Sequence, residues 1–261
     1  MRVARHPHAV RQEGRSTGAQ VQVQLVQGIA GRGGEAVALV QPSKEGTLYL
    51  LDRDHLGGRD QGPGGTDAAV AEAGPQEATF SQPLVWPKGG LIFVAGTVKI
   101  TAQQPSPTLR AFRVVDSGTR VRLLLAASAP TVFGYGSGSP VLADSAKSPL
   151  VWVIERPAGN EIGGGLRAYG ATPDKTSLDL MAAFPMRDPA KFSSPVIVRG
   201  DEIVAADGTG EVMALRMTPA GAPSPPPQGP GSPAGPVIVA ALAVAAAAVG
   251  LFFRRRSQAR R

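Results

Sequence analysis

The stretch Phe192–Leu215, FSSPVIVRGDEIVAADGTGEVMAL, contains the structural unit on which this chain is built. A Ser-Pro pair precedes a short apolar run, a turn leads to a second alternating run, and a Gly-rich turn leads to a third. Proline is tolerated where a strand begins, and alternating apolar residues are typical of a strand with one buried face. The stretch therefore predicts three consecutive short strands.

Segments like its third run occur three more times in the chain. Their equivalent positions are separated by 61, 57 and 46 residues, as subtraction of the residue numbers shows. This spacing is typical of propeller blades that carry loop insertions. The four positions are Leu48, Leu109, Leu166 and Val212, within the segments Gly46–Asp52, Thr108–Arg113, Gly165–Gly170 and Gly210–Arg216.

The first two runs of the unit are repeated as well. Each copy pairs a run near a proline with a longer apolar run beyond a turn, so that a whole copy predicts three or four strands, the content of one propeller blade. The copies are Gln82–Trp86 with Leu91–Ala95, Ser139–Leu142 with Leu150–Ile154, and Ser194–Val198 with Glu202–Ala206.

On these residues the chain resembles the PQQ-like, or quinoprotein-like, β-propeller family. Phe192–Leu215 resembles one blade, Ser139–Ala171 resembles another, and Glu45–Gly58 resembles the outer hairpin of an earlier one. The resemblance covers roughly Val21–Met217 and implies an all-β, partial β-propeller of three to four four-stranded antiparallel blades. Such rings usually have about six to eight blades. We therefore expect absent N-terminal blades, with the pairing of two half-rings as the alternative.

The enzymatic members of this family hold pyrroloquinoline quinone and calcium, and their blades carry a Trp after a Gly. No blade here has that pattern, and Trp86 and Trp152 lie in apolar runs, where burial in the core is expected. We therefore predict no catalytic, cofactor-binding or metal-binding residue and expect that the chain is not an enzyme. The alternative is a fragment of a PQQ-dependent oxidoreductase whose cofactor-binding blades are missing.

Other polar motifs are weak candidates for chemistry. The absence of cysteine excludes thiolate catalysis and Cys-ligated metals. His6 and His8 are two potential ligands without a third. His55, with Asp52 and Asp54, is interpreted as part of a solvated turn, and Gly134–Pro140 (GYGSGSP) as a turn that leads into a strand. Turns are also expected around Asp144, Asp201 and Asp207.

The C-terminal part has the composition of a spacer followed by a membrane anchor. Residues 218–235 are rich in Pro, Gly and Ser without charge, which predicts a disordered linker. A transmembrane helix is predicted over residues 236–253: its apolar run, Val237–Phe253, spans roughly 26 Å as a helix, near the lower limit for a bilayer. Alternatives are a buried helix or a cleaved sorting tail. The anchor residues are Val237, Phe253, Arg254, Arg255 and Arg256.

The charged residues predict on which side of the membrane each end of the chain lies. Arginines remain cytoplasmic, so the basic tail 254–261 predicts a cytoplasmic C-terminus and an extracytoplasmic body. Residues 1–20 are basic, are predicted to be disordered, and lack a signal-peptide core; we expect a truncated or misassigned start. Five C-terminal arginines supply most of the net charge of +7, so no nucleic-acid partner is expected. The sequence thus predicts a single-pass, membrane-anchored scaffold that binds a protein or cell-envelope partner through propeller loops.

Overall fold

The computed structural model is all-β and consists of four consecutive sheets. It describes residues 24–31, 34–58, 60–75, 77–97, 108–117, 120–144, 149–158, 164–172, 175–198, 201–219 and 238–244. Within each sheet the strands follow chain order, and all pairs are antiparallel except the last pair of the fourth sheet. Antiparallel neighbours can be joined by a short turn, as between β2 and β3, where five residues intervene.

The first two sheets are formed by residues 24–128. The first has the order β1-β2-β3-β4, with a short 3₁₀ turn, Pro63–Gly65, before β4. In the second, β5 and β6 both pair with β7, so together they form an interrupted first strand. Another 3₁₀ turn, Pro87–Gly89, joins β6 to β7. The strands are β1 Gln24–Gly31, β2 Gly34–Pro42, β3 Leu48–Asp52, β4 Ala71–Ala73, β5 Ala78–Thr79, β6 Leu84–Trp86, β7 Leu91–Thr97, β8 Leu109–Asp116 and β9 Val121–Ser128.

The third and fourth sheets repeat the pattern, with the orders β10-β11-β12-β13 and β14-β15-β16-β17. The four related segments found in the sequence are the third strands of the four sheets, β3, β8, β12 and β16, and the repeat is confirmed as one antiparallel sheet per unit. The strands are β10 Val141–Ala143, β11 Leu150–Glu155, β12 Gly165–Gly170, β13 Leu180–Pro185, β14 Val196–Val198, β15 Glu202–Ala206, β16 Val212–Pro219 and β17 Ile238–Val244.

The sheets stack face to face in chain order. Separate hydrophobic cores lie between sheets one and two, two and three, and three and four. The second strands of the middle sheets, β7 and β11, are buried along their whole length because alternate side chains enter different cores. This explains their continuous apolar sequences, which are typical of strands covered on both faces. First strands of neighbouring sheets also contact one another: β1 with β6, β6 with β10, and β10 with β14.

The two tryptophans occupy these cores, as predicted. Trp86 lies in the core between sheets two and three, and Trp152 lies between sheets three and four, where its ring stacks on Phe184 with centroids 6.3 Å apart. Each ring contributes a large apolar surface to the contact between sheets. Trp86 and Trp152 are therefore structural residues of the interfaces.

The structure differs from the helix expected at the C-terminal end. Ile238–Val244 forms β17, which pairs in parallel with β16 from Met213 to Pro219. The pairing satisfies backbone groups along the open edge of β16, and the β-branched residues of β17 suit a strand. The remainder of the expected span, 236–237 and 245–253, lies outside the described residues. In the described ranges, no helix has the length and apolar character that a bilayer crossing requires.

A buried polar network fixes the contact between the second and third sheets. The Tyr169 hydroxyl donates to Thr131 Oγ1 at 2.9 Å, while Thr108 Oγ1 donates to the Thr131 carbonyl and accepts the Phe133 N–H at 2.8 Å. Burial raises the pKa of Tyr169 to about 12, because the ionised phenolate would lose its hydration. Burial therefore keeps Tyr169 neutral, and the network connects Thr108 at the start of β8, Tyr169 on β12 and the loop before β10.

We predict that Tyr169→Phe lowers stability near neutral pH by about 1 kcal/mol, because it deletes one buried hydrogen bond. The native chain keeps Tyr169 protonated to about pH 12, whereas an unfolded tyrosine ionises near pH 10. The contribution of the neutral Tyr169 hydroxyl to the free energy of unfolding is therefore fully present below pH 10. It is lost between pH 10 and 12, by up to about 3 kcal/mol. Urea unfolding at pH 7 and across this alkaline range measures both effects.

The control for this experiment is Tyr49→Phe, at a half-buried position on β3. Relative to wild type, Tyr169→Phe should lose less stability as pH rises above 10, while Tyr49→Phe should follow wild type. Parallel alkaline curves for wild type and Tyr169→Phe would contradict the assigned role of the hydroxyl.

Candidate functional site

One edge of the sheet stack is formed by loops that lead into first strands and by turns between second and third strands. We call it the loop face; it comprises residues 80–83, 129–140 and 186–195, with the turns 43–47, 156–158 and 207–211. Backbone hydrogen bonds tie these segments together: Thr79 N–H donates to the Ser43 carbonyl at 3.3 Å, and Gly208 N–H donates to the Asp188 carbonyl at 2.7 Å. All four sheets therefore contribute to one continuous surface.

Three aromatic rings from three different sheets meet on the loop face. Phe80 interrupts the first strand of sheet two, Tyr135 precedes β10, and Phe192 precedes β14. The Phe80–Tyr135 and Tyr135–Phe192 centroids are 5.2 and 5.4 Å apart, with nearly perpendicular rings, and Phe80 and Phe192 lie 6.4 Å apart. Tyr135 is 49% exposed and Phe192 is 44% exposed. We call these three residues the aromatic patch.

The Ser-Pro element of the repeat sets the spacing of these loops. Gln82 N–H donates to Ser139 Oγ at 2.8 Å, and Ser139 N–H donates to Ser194 Oγ at 2.9 Å. The three residues are equivalent, since each directly precedes the proline that leads into a first strand. Each loop is thus bonded to the same position in the next loop, and the rings beside them are held in register.

Phe192 has an unusual backbone conformation, with φ at +60°. Such a value is rare for a bulky residue other than glycine and costs of order 1–3 kcal/mol. Its N–H donates to the Gly136 carbonyl at 2.6 Å, beside Tyr135. This bond and the ring contacts hold Phe192 in a strained position in which its ring remains accessible.

Cationic side chains surround the rings. Lys44 Nζ lies 5.8 Å from the Phe80 centroid and Lys191 Nζ lies 5.9 Å from the Tyr135 centroid, within cation–π range. Arg156 donates to the Pro189 carbonyl and lies 3.7 Å from an Asp188 oxygen, so it braces the loop that carries Lys191. The aromatic patch and the two lysines beside it therefore combine aromatic faces, a phenol hydroxyl and positive charge, a set suited to binding by stacking and hydrogen bonding.

The residues that the sequence suggested for chemistry lie elsewhere. Asp52 Oδ1 accepts the N–H groups of Asp54 and His55 at 2.9 and 3.3 Å, and His55 is exposed, which confirms the solvated turn. Within the described ranges, no group of three His, Asp or Glu side chains is arranged to hold a metal. His6, His8 and the anchor residues Val237, Phe253, Arg254, Arg255 and Arg256 lie outside the described residues.

The predicted acidic turns are also structural. Asp207 Oδ1 accepts hydrogen bonds from the Thr209 hydroxyl and from the N–H groups of Thr209 and Glu211, and these bonds lower the pKa of Asp207. Asp144 lies 3.6 Å from Lys88 Nζ. The Asp201 carbonyl accepts the Met217 N–H at 2.7 Å. None of the three carboxylates points to a reaction centre.

An open groove of about 680 Å³ between β4 and β9 is a second concave surface. Its walls carry both acidic and basic side chains, including Glu72, Arg120 and Arg122, beside the exposed Leu124. The residues that line the groove come from two sheets only. The loop face, with groups from four sheets, is the better candidate.

Comparison with known proteins adds no assignment: the chain matches no protein-family model and no curated protein sequence. The sequence analysis identifies none of the three patch residues: Tyr135 lies in Gly134–Pro140, which it interprets as a turn, and it gives Phe80 and Phe192 no role of their own. A signal was present, since Phe80 and Phe192 each stand three residues before the proline of their unit and Tyr135 stands five before its own.

We predict that Gly138→Ala destabilises the protein by about 1–3 kcal/mol, because the added Cβ meets a backbone atom that cannot move independently. A Cβ at Gly138 would lie 1.9 Å from the Ser193 carbonyl oxygen, directly beside Phe192. The matched control is Gly170→Ala, whose Cβ would lie 3.7 Å from the nearest side-chain atom. Thermal melts of both variants test this; equal melting temperatures would show that the loops are not closely packed.

Proposed function

We propose that this protein is a non-catalytic scaffold whose four sheets are consecutive blades of a β-propeller. The proposal is supported by the repeated four-stranded sheets, their face-to-face stacking and the contacts between successive first strands. A stack of this kind gives rigidity, and its connecting loops supply recognition. The family resemblance of the repeats points in the same direction.

The observation that carries the functional proposal is the aromatic patch. Clustered exposed rings are uncommon on a surface that contacts only water, and aromatic residues are enriched where proteins bind partners. The strained Phe192 and the flanking cations add to this, since backbone strain is retained mainly where the surroundings enforce it for a purpose. The loop face therefore binds a protein or cell-envelope partner.

Membrane attachment is part of the proposal and uses the apolar run Val237–Phe253 with Arg254. A spanning helix needs about 20 apolar residues, so it would require the seven residues of β17. The sheet-bound and membrane-bound uses of Ile238–Val244 exclude each other. The attached protein would hold β17 out of the sheet and leave the edge of β16 open.

The membrane proposal predicts that Leu242→Arg moves the protein from the membrane fraction to the soluble fraction. Arginine inside a spanning helix opposes insertion by about 2.5–3.5 kcal/mol. Alkaline extraction of membranes from producing cells, followed by immunodetection, measures the change, and Leu242→Val serves as the apolar control. Retention of Leu242→Arg in extracted membranes would argue against the anchor.

The scaffold proposal predicts that a photo-crosslinker beside the patch captures a discrete partner in cells. Lys191→p-benzoylphenylalanine places the probe next to Tyr135 while leaving all three rings in place. Leu125→p-benzoylphenylalanine, on β9 at a position 54% exposed, is the matched probe away from the loop face. We expect a specific adduct from position 191 and none from position 125.

A second substitution connects that adduct to the patch. Phe192→Ala should reduce the adduct from position 191 at least several-fold, because it removes one ring of the patch. An adduct that is equally strong from both probes, or that is unchanged by Phe192→Ala, would show that the aromatic patch is not the binding surface.

A further inference from the structure

We propose that two copies of this chain form a closed dimer, in which the fourth sheet of each copy packs on the first sheet of the other. This dimer rests on the proposed arrangement of the sheets as blades and goes beyond binding at the loop face. Its contacts come from described residues of β2, β3 and β14–β16. They do not involve Ile238–Val244, so the dimer is compatible with membrane attachment.

Every core inside the stack joins the same two kinds of face. We call the face that a sheet turns to the next sheet its forward face, and the face turned to the preceding sheet its rear face. Leu48, Leu109 and Leu166 hold the equivalent position on three forward faces, and each is buried in the core shared with the next sheet. The three cores therefore all pair a forward face with a rear face.

The forward face of the fourth sheet has the same apolar pattern but is uncovered. Val212, the equivalent of Leu109 and Leu166, is 41% exposed, and Val196 on β14 is 59% exposed. Residues directly opposite each other share a face, which gives three equivalent rows. These rows are Leu84, Phe93 and Ala111; Val141, Trp152 and Ala168; and Val196, Val204 and Ala214. Exposed apolar surface of this kind marks an interaction site.

The first sheet is open in the opposite sense. Leu39 and Leu51 are opposite each other on β2 and β3, on the rear face, and both are only partly buried. The equivalent pairs of the later sheets are all buried between sheets: Ile92 with Phe112, Val151 with Tyr169, and Ile203 with Leu215. The stack therefore ends in an unfilled rear face on one side and an unfilled forward face on the other.

The two open faces also complement each other in size. Val204 stands where Phe93 and Trp152 occupy the forward faces of the second and third sheets. On the first sheet, the ring of Tyr49 lies on the same face as Leu51, since the two are separated by one residue along β3. A forward face with small side chains thus meets a rear face with bulky ones, as close packing requires.

The charged residues on the forward face of the fourth sheet are paired with each other. Glu202 and Arg216 are opposite on β15 and β16, and Glu202 Oε2 lies 3.7 Å from Arg216 Nη2. They lie at the end of the face, beyond Val204 and Ala214. An ion pair in this position belongs to the polar rim of an interface, where both charges remain hydrated.

Two-fold symmetry fills both open faces with one kind of contact. If Val212 of one copy meets Leu51 of the other, the axis repeats the contact in reverse, as in closed dimers generally. Two copies supply eight sheets, and propellers contain about four to eight. The contacts of β1 with β6, β6 with β10 and β10 with β14 are those expected of strands that line the centre of such an assembly.

Cross-linking tests which faces meet. The chain has no cysteine, so each introduced cysteine reports one position. Full-length Val212→Cys and Leu51→Cys chains with different affinity tags are produced in the same cells and treated with a short bismaleimide. We expect a covalent dimer of the two different chains and little dimer from either variant produced alone. Leu125→Cys, exposed on β9, replaces Leu51→Cys as the control and should give none.

Two results of this experiment overturn the proposal. A covalent dimer that forms equally well from Val212→Cys alone would show that like faces meet. Absence of a covalent dimer from the mixed chains would show that the two open faces do not meet.

The mass of the purified full-length chain in mild detergent tests closure. Light scattering, with the detergent mass subtracted, should give two chains. Val212→Arg and Val196→Arg should each raise the dissociation constant at least about tenfold, because an arginine buried without a partner destabilises the contact. Leu125→Arg, also at an exposed position, is the matched control and should remain dimeric. A cooperative melt of the dissociated variants verifies that the fold is intact.

Three outcomes of the mass measurement contradict the closed dimer. Wild-type chain with the mass of one copy would show that the open faces do not bind a second copy. A mass that rises beyond two chains with concentration would show an open assembly. A dimer unaffected by both arginine variants would be held elsewhere in the chain.

The adduct from position 191 keeps this proposal separate from the scaffold function. If wild-type chain is a single copy and cells still give a patch-dependent adduct, the loop face binds its partner and the closed dimer fails. If the dimer forms as expected and no adduct appears, the closed dimer stands and the aromatic patch is not the binding surface.

Discussion

Every other feature of this structure depends on the burial of both faces of the middle sheets. A single four-stranded antiparallel sheet cannot bury its apolar side chains by itself, and here each sheet is completed by its neighbours in the chain. β7 and β11 have no solvent-facing side, since the residues of each strand alternate between two cores. The stabilising apolar contacts therefore lie between the sheets, where Trp86, Trp152 and Tyr169 contribute their rings.

The stacking also explains why short, irregular loops can form a defined surface. Because the sheets are fixed face to face, equivalent loops of successive units lie side by side. The Ser139 and Ser194 hydroxyls then bond the backbone of the preceding unit, which repeats one geometry along the stack. Glycine at position 138 is required here, since the Ser193 carbonyl occupies the space that a side chain would need. The packed cores thus fix the positions of loop residues that have no regular secondary structure.

The proposed function rests on the side chains that this surface displays. Three rings with two lysines beside them form the patch on which the binding proposal rests, and the carboxylates of Asp52 and Asp207 accept hydrogen bonds within turns. The apolar residues 238–244 have two possible environments, the edge of the fourth sheet and a bilayer.

The sequence by itself determined the repeating unit, its strands and its buried tryptophans, because alternation and turn residues are local properties. It also placed Asp52 and Asp207 in turns, where each carboxylate bonds its own neighbouring backbone. Two features required the tertiary structure. Phe80, Tyr135 and Phe192 are more than 50 residues apart in pairs along the chain, and only the stacking of three sheets brings them together. The apolar run that begins at Val237 predicts a helix by its composition, whereas in the tertiary structure Ile238–Val244 pairs with the edge of β16 as a strand.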